Sequence, residues 1–104
     1  MNDFHCTPQA GDDLFEIWSY VAADSVDATD RVEAAILAAC NFLAGAPLCG
    51  RYRRDLTEHP LRFWTVPRFP SYIVAYNPAT QPLQIIRILH GKRDLRRLFQ
   101  ESPS

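Results

Sequence analysis

Apolar residues recur along the first half of the chain at helical spacing. Leu14, Ile17, Trp18 and Val21 share one face, with Phe15 broadening the stripe. Thr7 stands before Pro8 as a cap, and Pro8 suits a first helical position because its missing N–H costs nothing there. A first helix is therefore predicted over about residues 8–23, with Asp12, Asp13 and Glu16 expected near its positive end. Asp24 and Ser25 break the pattern and offer a second cap, and Asp27 and Asp30 support a new start by the same dipole argument. Val32, Ala35, Ile36, Ala39, Cys40 and Leu43 then repeat at i, i+3, i+4, i+7 until Gly45, the expected C-cap, and Pro47 stop the helix. Ala34, Ala35, Ala38 and Ala39 let another element approach closely. Two amphipathic helices joined by so few residues fold into an antiparallel hairpin, about residues 8–44.

The period changes in the second half. Phe4-His5-Cys6 is a short candidate strand ahead of the hairpin, and residues 46–60 read as a loop or connector. Residues 62–66 alternate and are rich in β-formers, 67–70 carry two prolines and form a turn, and 71–76 are the next strand. Residues 77–82 make a second turn, and 83–89 are an almost wholly apolar strand bounded by Pro82 and Gly91. Residues 94–100 are expected to form a short terminal helix with Leu95, Leu98 and Phe99 inward. The predicted fold is α+β: an N-terminal helical hairpin packed on a three- to four-stranded antiparallel sheet spanning about residues 61–89, followed by a C-terminal segment, 90–104.

A chain of 104 residues fits one domain, and 47% hydrophobic with 22% charged residues excludes an intrinsically disordered one. No apolar run approaches the roughly 20 residues of a membrane helix. The first residues carry Asp3 where a signal peptide carries Lys or Arg, so a cytoplasmic protein is expected. Charge is unevenly divided. Residues 1–50 hold one base and eight acids, whereas residues 51–104 hold ten bases and four acids. Such a split suggests two faces with different partners, or acids and bases that neutralise each other in space. Cys6, Cys40 and Cys49 are odd in number and lack C-x-x-C spacing, which argues for a reducing compartment and against a metal site with His5, His59 and His90. Cys40 lies on the apolar stripe and reads as a small core residue. Neither cofactor nor metal is expected.

The candidate chemistry gathers at the end of the last strand, where Arg87 interrupts the apolar run and His90-Gly91-Lys92-Arg93 follows it. Arg87 alternates with Ile85 and Leu89, so the face it shares is apolar. It either pairs with an acid of the hairpin or faces a phosphate. His90 either ends the strand with a backbone hydrogen bond or carries a proton near neutral pH.

The ordered set of motifs resembles the RelE/ParE superfamily of bacterial toxins from type II toxin–antitoxin pairs, and is most similar to its ParE branch. Thr7-Pro8-Gln9-Ala10, Asp13-Leu14 and Glu16-Ile17-Trp18-Ser19-Tyr20 resemble the family's opening. Asn41-Phe42-Leu43, Pro47 and Gly50-Arg51 resemble its hairpin exit. Tyr72-Ile73-Val74-Ala75-Tyr76 and Ile85 through Asp94, with the run Leu89-His90-Gly91-Lys92-Arg93-Asp94, resemble its last strands and terminal signature. The turn Pro67-Arg68-Phe69-Pro70 departs from the usual one.

The resemblance implies a ParD-like antitoxin that neutralises the chain in a toxin–antitoxin hetero-oligomer, with no sequence-specific DNA binding by this chain alone. ParE members inhibit DNA gyrase, whereas RelE members cleave mRNA on the ribosome. The gyrase reading needs a binding surface, for which Arg87, His90, Lys92, Arg93, Arg96 and Arg97 are the candidates. The nuclease reading needs Arg87 for the phosphate and His90 for the proton, with Tyr76 or Tyr72 as a third group. For the antitoxin, an open sheet edge can accept a strand and the hairpin flank a helix, anchored on Leu14, Phe15 and Trp18. Arg51, Arg53 and Arg54 are the expected contacts for its acidic residues.

Overall fold

In the computed structural model, which describes residues 3–91, 93 and 94, each helix opens on the cap expected of it. Thr7 Oγ1 accepts from the Ala10 amide at 3.1 Å to start α1 (Pro8–Ala22), and Ser25 Oγ accepts from Ala28 at 3.2 Å to start α2 (Val26–Gly45). The Thr7 hydroxyl also donates to the Ile86 carbonyl at 2.8 Å, so one residue both caps α1 and ties it to the last strand. Two expectations fail at the helix ends. The first turn of α1 holds no acid, since Asp12 and Asp13 lie one turn further on, beyond the reach of the helix dipole. Gly45 is the last helical residue rather than the cap, which is Ala46 with φ −146° and ψ 64°, neither helical nor extended; no glycine among the described residues has a positive φ.

Five strands make one sheet, in the order β1-β5-β4-β3-β2: β1 (Phe4–Cys6), β2 (Arg51–Tyr52), β3 (Arg62–Thr65), β4 (Tyr72–Asn77) and β5 (Leu83–His90). The expected three to four antiparallel strands are thus corrected to a five-stranded mixed sheet. β1 runs parallel to β5, from which it is separated in the chain by both helices and β2 to β4, while the other neighbours are antiparallel. β2 has only two residues and exists because Arg51 and Tyr52 pair with Phe63 and Arg62.

The register of β4 on β5 slips between Ala75 and Tyr76: Ala75 faces Arg87, but Tyr76 faces Ile85. This bulge overturns the simple alternation of Ile85, Arg87 and Leu89. Ile85 and Ile88 both join the core under the helices, whereas Leu89 and the Arg87 partner Ala75 belong to a second cluster.

The main core lies between the helices and one sheet face and includes Ile17, Ile36, Cys40, Leu43, Val74, Tyr76, Ile85 and Ile88. Each large aliphatic side chain buried there contributes about 1.5–3 kcal/mol. The α2 stripe lies inward as its spacing predicts, except that Ala35 is only half-buried and Thr29 joins the buried set. On α1, Phe15 departs from the stripe and is 71% exposed. The opposite sheet face is not open. Leu56 and Leu61 of the connector cover Phe63, Ala75 and Leu89, making a second small core. Among the described residues no helix is long and apolar enough to cross a membrane. Gly91, Arg93 and Asp94 are helical, while the rest of the expected terminal helix falls outside the described residues.

Candidate interaction site

Beyond Cys6 the β1 strand leaves the sheet, and the outer edge of β5 would show bare backbone donors. Side-chain carboxylates satisfy two of them. Asp13 Oδ2 accepts from the Ile88 amide at 3.0 Å, and Asp94 Oδ2 from the His90 amide at 2.6 Å. Asp13 also holds the Arg87 guanidinium in a two-pronged pair, at 2.8 Å from Nε and 3.1 Å from Nη2. The acid-rich first half and base-rich second half therefore do meet in space, at least here.

Around His90 the chain gathers further polar groups. The imidazole stands edge-on to the Tyr72 ring, centroids 5.7 Å apart, and its Nδ1 lies 3.5 Å from the Arg93 amide. Arg93 bridges Asp94 at 3.2 Å and Glu16 of α1 at 3.6 Å. Its pKa is raised, chiefly by the hydrogen bond to Asp94. Burial raises the Tyr72 phenol in the same direction, with Tyr20 adding to it. Of the six residues expected at this tip, Arg87, His90 and Arg93 are brought to one end of β5; Lys92, Arg96 and Arg97 lie outside the described residues.

Tyr76 is elsewhere. It is fully buried, its hydroxyl donates to the Pro47 carbonyl at 2.7 Å, and the same oxygen accepts from the Gly50 amide at 2.8 Å. A side chain at Gly50 would put its Cβ 2.5 Å from that oxygen, so glycine is required for the close approach. Tyr72 is the β4 partner of His90, and Tyr76 lies four residues further along, roughly 13 Å away at strand spacing. Tyr76 is thus not gathered with Arg87 and His90, since it pins the connector; Tyr72, the alternative third group, does stand beside His90, while Arg87 is held by Asp13.

The connector arginines sit at the other edge of the sheet. Arg51 is exposed on β2, and Arg53 pairs with Asp55 through two bonds of 3.0 and 2.8 Å. Together with Cys49, Phe63, Pro70 and Ile73 they line an open cleft of about 530 Å³. Arg54 is exposed beside it. Arg62, which sequence reasoning missed, braces this edge from behind. Its Nη1 donates to the Leu48 and Gly50 carbonyls at 3.1 and 2.7 Å, and its guanidinium lies 4.3 Å over the Tyr52 ring, its cross-strand neighbour.

The hairpin flank proves nearly filled. Leu14, Ile17, Trp18 and Val21 meet Thr29, Val32 and Ile36 of α2 around a space of only about 10 Å³, leaving Phe15 and the 42%-exposed Trp18 on the rim. The open apolar groove lies on the far side of α2, against β3. It has about 260 Å³, floored by Ala35, Ala38 and Ala39, walled by Phe42, Trp64 and Val66, and closed by Pro67 and Arg68. Phe42 and Trp64 pack with ring centroids 5.4 Å apart. The run of small residues on α2 was its only sequence signal.

Among the described residues no three His, Cys, Asp or Glu side chains gather in a way that could hold a metal ion. The model of one protein family, described as the ParE toxin of the type II toxin–antitoxin system parDE, matches residues 5–95. A solved structure described as "Chromosomal ParDE TA system from P. aeruginosa" contains a chain of similar fold, with TM-score 0.68 and 23% identity, the likeness covering 86% of this chain and 96% of that one. No curated protein sequence matches this one.

Proposed function

The chain belongs to the ParE toxin family of type II toxin–antitoxin systems, and on that premise we propose that it poisons bacterial DNA gyrase by binding and is silenced by a ParD-like antitoxin in a cytoplasmic hetero-oligomer. The gyrase contact is assigned to His90 and Arg93 at the end of β5, with Arg87 as a charge at its margin, and to Lys92, Arg96 and Arg97 of the C-terminal segment. The observation that favours binding over RNA cleavage is the state of Arg87, whose Nε and Nη2 are spent on Asp13. A nuclease would need those donors for a phosphate in the transition state.

The antitoxin reading is supported by the exposed rim of α1, Phe15 and Trp18 beside the half-buried Leu14, and by the cationic edge carrying Arg51, Arg53 and Arg54. Purified chain should lower gyrase supercoiling in proportion to its concentration, and adding antitoxin should restore it. Ribosome-bound mRNA should stay intact. The substitution His90→Ala should change inhibition only modestly, since no proton transfer depends on it. Cut mRNA together with unaffected gyrase would reverse the assignment.

A further inference from the structure

Two of the three cysteines come level with each other in the fold, although they are far apart along the chain. α1 rises along β5, since Thr7 bonds the Ile86 carbonyl and Asp13 the Ile88 amide. α2 returns to end near Leu83, where Ala44 and Pro47 line one cavity with Asp3 and that leucine. One turn back from Ala44, about 6 Å along the helix, stands Cys40. Two residues on from Leu83, about 7 Å along β5, stands Ile85, the register partner of Cys6. Both thiols also face the main core: Cys40 is buried in it, and Cys6 packs against it. α-Carbons of α2 come within 8 Å of those of β1. A disulfide spans about 4–7 Å between α-carbons, and β1, a three-residue edge strand with one neighbour, can close the remainder. We propose that Cys6 and Cys40 form a reversible disulfide that fastens β1 to α2 and makes the lifetime of the folded chain depend on the thiol–disulfide balance around it.

The order of the steps follows from exposure. All three cysteines are thiols; Cys6 is half-buried and within reach of a small reagent, whereas Cys40 is sealed in the core. With a small disulfide such as oxidised glutathione as the oxidant, the Cys6 thiolate attacks one sulfur and expels one glutathione thiolate. Cys40 then gives its proton to solvent base and attacks the Cys6 sulfur, expelling the second. One protein disulfide forms as one reagent disulfide is reduced to two thiols. Burial raises both protein thiols, so little thiolate exists near neutral pH and the link closes faster as pH rises. Cys49 is placed to take no part. It is exposed in the cleft beside β2, and the opposite edges of this five-stranded sheet are about 19 Å apart. Closing the loop from Cys6 to Cys40 removes freedom chiefly from the unfolded chain, which favours the fold.

The test incubates the full chain with oxidised glutathione, with and without urea, and maps the cysteines by alkylation and peptide mass. In the folded chain Cys6 and Cys40 should be joined, with Cys49 left as a thiol or carrying glutathione. In urea the pairing should shift to Cys40 and Cys49, the two that lie closest along the sequence. Closure in the folded chain should quicken about tenfold per unit of pH below about pH 9. Cys49→Ser should leave the link intact, whereas Cys6→Ser should leave Cys40 a thiol. The linked chain should withstand a protease at least about tenfold longer than the reduced one, and a reductant should restore the faster digestion. Glutathione on Cys6 with Cys40 still a thiol in the folded chain overturns the proposal. So does a Cys6–Cys40 bond that appears only in urea, or a linked chain digested at the rate of the reduced one.

Discussion

Asp13 grips Arg87 with both carboxylate oxygens, at 2.8 and 3.1 Å, and one of those oxygens also takes the amide of Ile88 at 3.0 Å. The pair joins α1 to the unpaired edge of β5, and its two members are not equivalent. Asp13 is shielded, with 13% of its side chain exposed, against 37% for Arg87. Removing the acid takes the acceptor from a strand amide and the two-pronged pair from the guanidinium, whereas removing the base leaves the acid still bound to Ile88. Asp13→Ala should therefore cost about 2 kcal/mol of folding stability, and Arg87→Met clearly less, because its exposed half is screened by water. Urea unfolding of the two variants decides it; equal losses would mean that the Ile88 bond is of no consequence.

Tyr76 and Gly50 make the second prediction. Tyr76→Phe removes the donor to Pro47 and the acceptor for the Gly50 amide, and should cost about 1–3 kcal/mol. Gly50→Ala forces its new Cβ against the phenol oxygen at 2.5 Å and the Cε1 atom at 2.8 Å. The double variant should be less unstable than the two losses added together, since the oxygen is gone while Cε1 remains. Thermal melts of the four proteins give the coupling directly, and strict additivity would contradict it.

What the sequence made legible, and what it hid, follows from how each element is specified. The helices and the strands β3, β4 and β5 announce themselves because caps and periodicity are local properties; Thr7, Ser25 and the α2 stripe act where they were expected. β1 and β2 have three and two residues, too few for any period, and are defined by their partners in β5 and β3. The bulge at Ala75/Tyr76 has no local signature either, so Ile85, expected to share a face with Arg87 and Leu89, lies on the opposite one. Asp13 was assigned to the helix dipole because its actual partners are 74 and 75 residues away along the chain. The groove was half visible in the alanines of α2, but its other wall, Trp64 and Val66, reads as ordinary strand until the sheet is laid beside the helix.

Asp94 offers a third prediction, at the other capped amide. Its side chain is 12% exposed and takes the His90 amide at 2.6 Å while pairing with Arg93. Asp94→Ala should speed hydrogen exchange of the His90 amide well beyond the change at Ile73, which pairs inside the sheet with Leu89. Global stability should fall by about 1–2 kcal/mol. A uniform increase in exchange over all of β4 and β5 would instead indicate a global effect rather than a local cap.

Cys40 carries a pH dependence with a definite sign. Burial, helped by the nearby Cys6, pushes its thiol up from the usual 9.0 to about 12. In the unfolded chain the thiol loses its proton near 9.0, while the folded protein keeps it until about 12, so across that window the folded state binds more protons. The stabilisation is complete below the lower value and is lost progressively as pH rises through the window. Tyr76 and Tyr72, both raised from 10.0 by burial, add to the loss in the same direction. Replacing Cys40 with Ala removes one of these contributions. The variant should start lower at about pH 8, because a buried sulfur has been deleted from a packed core, yet decline less steeply toward about pH 11. Urea midpoints of both proteins across that range measure the two slopes, and parallel lines would mean that the Cys40 thiol is not held protonated by the fold.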